Sequence, residues 1–145
     1  LQTFSIEKHI SFKNIPLCIE ASSAENLKIL KELAEVISEN VQQINSEERK
    51  ILHMSAVFAN NFTNYMYAIA EDILQDNDLS FDLLKPLIEE TSAKLLAYTP
   101  HEAQTGPARR NDQEIIDTHL DILKKYPDYQ KIYKILSEQI KSKHH

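Results

Sequence analysis

The chain has 145 residues, 42% of them hydrophobic, and a formal net charge of −6. That balance supports a core for one compact domain and excludes a disordered chain, and the acidic charge argues against general nucleic-acid binding and against an anionic membrane surface. One cysteine, Cys18, excludes an internal disulfide or a thiolate metal cluster, and one glycine, Gly106, excludes a GxGxxG turn or a phosphate-binding loop within this sequence.

Leu1-Gln2-Thr3-Phe4-Ser5 opens without a Met or a polar lead-in and reads as the start of a piece of a longer protein. The apolar run Ile15 to Ala21 suits a buried strand, with Pro16 near its start where a missing N–H is tolerated. Ser22-Ser23-Ala24-Glu25 has the form of a capping box, and Leu27, Leu30, Leu33, Ala34 and Ile37 follow at helical spacing. Asn40 ends that helix, and Val41 to Ile44 reads as a second short strand. Residues 1–45 therefore form a small βαβ remnant, which cannot bury both faces of its sheet alone.

From Ser46 onward the pattern is helical. Ser46 to Asp76 reads as one long helix, capped by Ser46 with Glu47 and Glu48 in its first turn and with no Asp, Glu, Lys or Arg between Lys50 and Glu71. At about 100° per residue, His53, Val57, Asn60, Asn64, Tyr67 and Glu71 share one face. Phe58, Phe62, Tyr65, Met66, Ile69 and Ile73 share another. Such a helix is expected to be buried on its apolar side. The run is too polar for a membrane span, and no secretory signal precedes it, so a cytoplasmic protein is expected.

Ser80 caps a further helix that Pro86 either kinks or begins. Thr99-Pro100-His101-Glu102 gives a cap, a proline and a glutamate at the spacing of a single helical turn. Gln104 to Arg110 is a loop, and Asn111-Asp112-Gln113-Glu114 opens another helix. Pro127 starts the last one, with Tyr129, Ile132, Tyr133, Leu136 and Ile140 as its apolar stripe. The expected fold is mainly α: a helical bundle on one long central helix, residues 46–143, after the βαβ remnant. His144 and His145 have the form of tag residues and receive no role.

Two groups of residues carry chemistry. His53 can move a proton near neutral pH, and Asn60 and Asn64 beside it can orient a carbonyl or carboxylate. The bland alternative is polar groups bonded to neighbouring helices or across a dimer interface. Thr105 to Arg110 holds the only glycine, followed by two arginines before a helix start, a combination that suits carboxylate or phosphate. Its alternative is an ordinary Gly-Pro turn. His53, His101 and His119 lack metal-ligand spacing, so no metal site is expected.

Three segments together resemble a known family. They are the opening Leu1 to Ser5, the helix segment His53-Met54-Ser55-Ala56-Val57-Phe58-Ala59-Asn60-Asn61-Phe62, and Glu102 to Asp112 around Thr105-Gly106-Pro107. The family is the NAD(P)-dependent oxidoreductases that join an N-terminal Rossmann-like domain to a helical C-terminal domain long described as of unknown function. It is similar to the 6-phosphogluconate dehydrogenase-like superfamily, near ketopantoate and pyrroline-carboxylate reductases.

The resemblance implies that residues 1–45 end a Rossmann-like domain whose glycine fingerprint lies upstream. NAD(P) would then bind in the longer parent, and tightly to this chain alone not at all. The resemblance implies that His53, Asn60 and Asn61 face the cleft from the long helix and that Thr105, Gly106, Pro107 and Arg109 close it; with Asn64 from the helix wheel, His53 and Asn60 are the candidate catalytic residues and Asn61, Asn64, Thr105, Gly106 and Arg109 the candidate substrate contacts. It places Gln2 and Thr3 near the cofactor. A small substrate with a C=O or C=N carbon, a homodimer through the helical domain, and inactivity of this chain alone follow. The alternative function is a stand-alone helical dimerisation or interaction module.

Overall fold

A computed structural model describes residues 11–144. β1 is Leu17–Ile19 and β2 is Val41–Gln43, paired in parallel with Leu17 opposite Val41. The crossover between them is α1, Ala24–Ile37. Its cap is Ser23, whose hydroxyl accepts from the Asn26 N–H, one residue later than the Ser22–Glu25 spacing predicts. Parallel strands need such a crossover, so this is the expected βαβ unit. Ser38 is its buried pin, with 2% exposure. Its hydroxyl donates to the Ile15 carbonyl at 2.6 Å and accepts from the Asn40 N–H at 3.0 Å. One side chain therefore joins the approaches to both strands.

The long helix runs from Ser46 to Gln75 as three segments. α2, Ser46–Ala56, is capped by Asn45 rather than by Ser46. Asn45 accepts from the Glu47 and Glu48 N–H groups, and the Glu48 carboxylate accepts from the Asn45 N–H. This reciprocal box satisfies N–H groups that the helix start would leave unpaired. Val57–Phe62 is a π-helical turn, and α3, Thr63–Gln75, continues beyond it.

The expectation of a buried central helix is not met. None of its three segments contains a buried residue, and Phe58 is 64% exposed. The apolar periodicity is real, but the chain's own buried side chains gather elsewhere. Ile15 and Ala34 are buried around the βαβ unit, and Ala108, Ile116 and Leu123 further along the chain.

Two compact units are described, one ending at Ala68 and the other beginning at Ile69. In the second unit, Ser80 caps a 3-10 turn, Phe81–Leu83, and Pro86 lies in the first turn of α4, Lys85–Lys94, marking its start. α5, Pro100–Ala103, has the Thr99–Glu102 capping box that the sequence announces. α6, Gln113–Ile122, is capped by Asp112. A 3-10 turn at Leu123–Lys125 joins it to α7, Pro127–His144, and the two helices pack on each other there. The mainly α architecture with a small Rossmann-like parallel remnant is thus observed. Among the described residues, no helix is long and apolar enough to cross a membrane.

Candidate functional site

A cavity of about 720 Å³ opens in the first unit between the approach to β1 and the first turns of α2. Its apolar wall is Phe12, Ile15, Pro16 and Leu17, with Cys18 beside them. Its polar wall is Ser46, Arg49, Lys50 and His53. Those four lie at i, i+3, i+4 and i+7, which puts them on one face of α2. His53 is therefore at the cavity, across from the approach to β1.

The polar wall is fixed by Glu20, just beyond β1. Its carboxylate accepts from the Ser46 N–H at 3.0 Å, from the Ser46 hydroxyl at 2.8 Å and from Arg49 at 2.9 Å. The Ser46 hydroxyl bond, helped by the Ser46 N–H and the Arg49 charge, holds Glu20 below the usual carboxylate range. The same contact places a negative group at the helix N-terminus, where the backbone dipole favours it. Lys50 pairs with Glu47 at 2.7 Å. The result is an apolar pocket with an edge of cationic and hydrogen-bonding groups, suited to a small organic molecule with a polar or anionic end.

A π turn, Val57–Phe62, interrupts the helix on which the wheel grouped these residues. A wider i→i+5 turn absorbs one extra residue, so positions beyond it rotate by about 100° relative to an unbroken α-helix. Asn60 and Asn61 lie within the turn, and Asn64 lies just beyond it. The wheel that carried the His53 face on to Asn64 assumed an unbroken helix. Thr63 closes the turn with two groups. Its N–H bonds to the Asn60 carbonyl, and its hydroxyl donates to the Phe58 carbonyl, five residues back, at 3.2 Å. Elsewhere the hydroxyls of Ser55, Thr91 and Thr118 reach the carbonyl four residues back, as an α-helix dictates. Asn60, Asn61 and Asn64 are all exposed.

Thr105, Gly106 and Arg109 belong to the second unit. Gly106 has φ +106°, a conformation costly for any other residue, and the turn after it is held by its own backbone. The Arg110 N–H bonds to the Gly106 carbonyl and the Asp112 N–H to the Pro107 carbonyl. Ala108 is buried as the peg of this turn, while Thr105 and Arg109 are exposed. Gln2 and Thr3 lie outside the described residues. Among the described residues, no group of His, Cys, Asp and Glu is arranged to hold a metal ion.

Sequence reasoning missed Ser46, Arg49, Lys50 and the β1 wall. The signal was present in part: Arg49 and Lys50 are the last cations before the uncharged run and stand four and three residues before His53.

Comparison with known proteins supplies the family. A solved structure described as a putative NADP oxidoreductase from Bacteroides fragilis is 46% identical, with a TM-score of 0.89 over 98% of this chain and 55% of its own. A protein from Thermotoga maritima, 23% identical with a TM-score of 0.72, covers 83% of this chain and 50% of its own, and shares the fold. The chain thus spans about half the length of the solved proteins it matches. A search of curated proteins finds no match. The model of a domain of unknown function, DUF2520, matches residues 15–140. The chain belongs to the family of the domain of unknown function DUF2520.

Proposed function

We propose that this chain is the C-terminal part of an NAD(P)-dependent oxidoreductase that moves hydride to or from a small C=O or C=N substrate. Residues 1–45 complete a Rossmann-like domain, and residues 46–143 form the helical domain that supplies substrate contacts and the dimer interface. The observation that supports this reading best is the position of His53. It stands on α2 with Arg49 and Lys50 beside a cavity whose other wall is the apolar approach to β1. A mostly apolar pocket with a few convergent polar groups is the ordinary form of a small-molecule site, and the relative named as an NADP oxidoreductase is 46% identical.

In this reading the cofactor supplies the hydride, and the chain's own residues position and protonate. His53 gives a proton to the oxygen or nitrogen of the reduced carbon, or takes it back in the reverse direction. Asn60, and Asn61 next to it on the same helix, orient the polar end of the substrate. Asn64 is a further substrate contact in this reading. Correct placement of reacting groups is the main contribution such a domain makes.

The test uses the longer parent. NADPH and NADH are titrated into it, and its oxidation of each is followed across small carbonyl and imine substrates. Binding of one cofactor is expected, with turnover lost in His53→Ala. A parent that binds neither cofactor overturns the reading, and unchanged turnover in His53→Ala removes the acid/base role. The extent of exposed apolar helix surface keeps the interaction module as the second reading.

A further inference from the structure

We propose that the cavity of the first unit selects a monocarboxylate with an apolar body, and that Arg49, with Lys50 beside it, reads the carboxylate. The proposal rests on the reading of this cavity as the substrate site and names the class of substrate. Among the described residues that line the cavity there is no Asp or Glu, and its charged edge is Arg49 and Lys50 with His53 one turn on. The chain as a whole carries 22 acidic side chains against 16 Lys and Arg. A cationic edge on an acidic chain is a local field that draws an anion to this one place. The rest of the wall is apolar. Phe12 and Leu52 there keep 41% and 38% of their surface exposed, which a hydrocarbon body would cover.

The donors that remain suit a carboxylate. Glu20 takes one nitrogen of Arg49, Nη2, at 2.9 Å. A guanidinium has five N–H donors in a planar fork, so donors are left for a second carboxylate. Lys50 is held by Glu47 in an exposed pair, which exchanges at little cost. Both glutamates stand outside the lining of the cavity and balance one cation each, so the edge accepts one added negative charge better than two. The usual seat of a phosphate is already filled. The free N–H groups of a helix start would supply it. At the start of α2 the Ser46 N–H goes to Glu20, and those of Glu47 and Glu48 go to Asn45.

Arg49 and His53 are four residues apart on α2, about 6 Å along its axis. A carboxylate held at Arg49 therefore sets which carbon of the ligand comes to His53. Glu20 is a positioning residue in this arrangement, because its bond keeps the guanidinium at the cavity edge.

The experiment titrates hexanoate, hexanamide, hexyl phosphate and acetate into this chain and follows backbone amide and side-chain signals by NMR. Hexanoate is expected to shift the signals of Arg49, Lys50 and His53. Hexanamide has the same body without the charge and is expected to bind about tenfold more weakly, the scale of one hydrogen bond to a charged group. Acetate has the charge without the body and is expected to bind more weakly than hexanoate, and hexyl phosphate no more tightly. Arg49→Gln is expected to remove the preference for hexanoate over hexanamide and to leave hexanamide binding as it was, with circular dichroism as the folding control. The Arg49 Nε signal gives a readout that needs no substitution, since hexanoate is expected to shift it and hexanamide is not. Equal binding of hexanoate and hexanamide, tighter binding of hexyl phosphate, a preference that survives Arg49→Gln, or no shift with any probe overturns the proposal. Its failure is separable from that of the oxidoreductase reading. A parent that binds NADPH while its cavity ignores hexanoate overturns this proposal alone. A cavity that prefers hexanoate in a parent that binds neither cofactor overturns the oxidoreductase reading alone.

Discussion

Replacing Ser38 with alanine tests whether one buried hydroxyl holds the wall of the cavity. Ser38 lies just past α1, and its hydroxyl donates to the Ile15 carbonyl at 2.6 Å. The Lys13 carbonyl is 3.3 Å away but also accepts from the Glu39 N–H at 2.8 Å, so it keeps a partner in the variant. The Ile15 carbonyl loses its hydroxyl donor, and the Asn40 N–H loses its hydroxyl acceptor at 3.0 Å. A buried polar group left unpaired costs about 1–3 kcal/mol. Asn40 is half-buried, so water recovers part of its loss. The net expectation is a destabilisation of about 2–3 kcal/mol, or a fall in Tm of about 8–12 °C for a chain of this size. Urea unfolding followed by tyrosine fluorescence and circular dichroism reads it, with an unchanged slope showing that the unfolded state is the same. Ser23→Ala removes a comparable hydroxyl from an exposed helix cap and serves as the comparison, at about 1 kcal/mol. A loss for Ser38→Ala no larger than for Ser23→Ala would refute the claim that burial makes this hydroxyl costly to remove. The consequence reaches the site, because Ile15 and Pro16 form the wall opposite His53.

Other substitutions test neighbouring joints. Glu20→Gln removes the carboxylate that faces Ser46 and Arg49. Because the folded pKa of Glu20 is lowered, its stabilisation is present above the ordinary carboxylate range and is lost as pH falls through that lowered value. Urea midpoints of wild type and Glu20→Gln should therefore differ at neutral pH and converge in acid, and a constant gap would contradict this. Asn45→Ala removes the reciprocal cap of α2 and is expected to cost about 1 kcal/mol in the same assay. Gly106→Ala meets no atom within 4 Å, so its cost, about 1–2 kcal/mol, is set by φ +106° alone. No measurable loss would mean that the turn shifts freely.

The long helix, the short turn at Pro100 and the start of the last helix were legible because proline, capping residues and apolar spacing all act locally. The caps at Ser23 and Asn45 were misplaced by one residue because adjacent polar residues offer competing three-residue spacings, and only the helix backbone decides between them. The π turn left no mark in the residue types from Val57 to Phe62, so the wheel carried the His53 face unbroken past it to Asn64. The cavity was missed because its walls come from stretches about thirty residues apart, joined by parallel pairing of β1 and β2. Exposure of the central helix was misjudged for a related reason. Periodicity states that Met54, Phe58 and Phe62 need cover, but the cover can come from another chain or from a part of the parent beyond this sequence.

Thr63 offers a direct test of the π turn. Its hydroxyl serves the Phe58 carbonyl five residues back, where a wide turn disturbs the regular ladder, while the Thr63 N–H is committed to the Asn60 carbonyl. Thr118 makes the usual bond to the Glu114 carbonyl, which sits within an ordinary α-helix and keeps its ladder partner. Valine matches threonine in shape and removes the hydroxyl from both. Thr63→Val is therefore expected to cost about 1 kcal/mol, because the Phe58 carbonyl loses its hydroxyl donor. Thr118→Val is expected to stay within about 0.5 kcal/mol, and Thr63→Ser should restore the wild-type value. Equal losses for Thr63→Val and Thr118→Val would show that the hydroxyl does not support the turn. The comparison reaches the chemistry because relaxation to an unbroken α-helix would turn the positions after Phe62 by about 100° relative to α2. Asn64 would then return to the face that starts at His53.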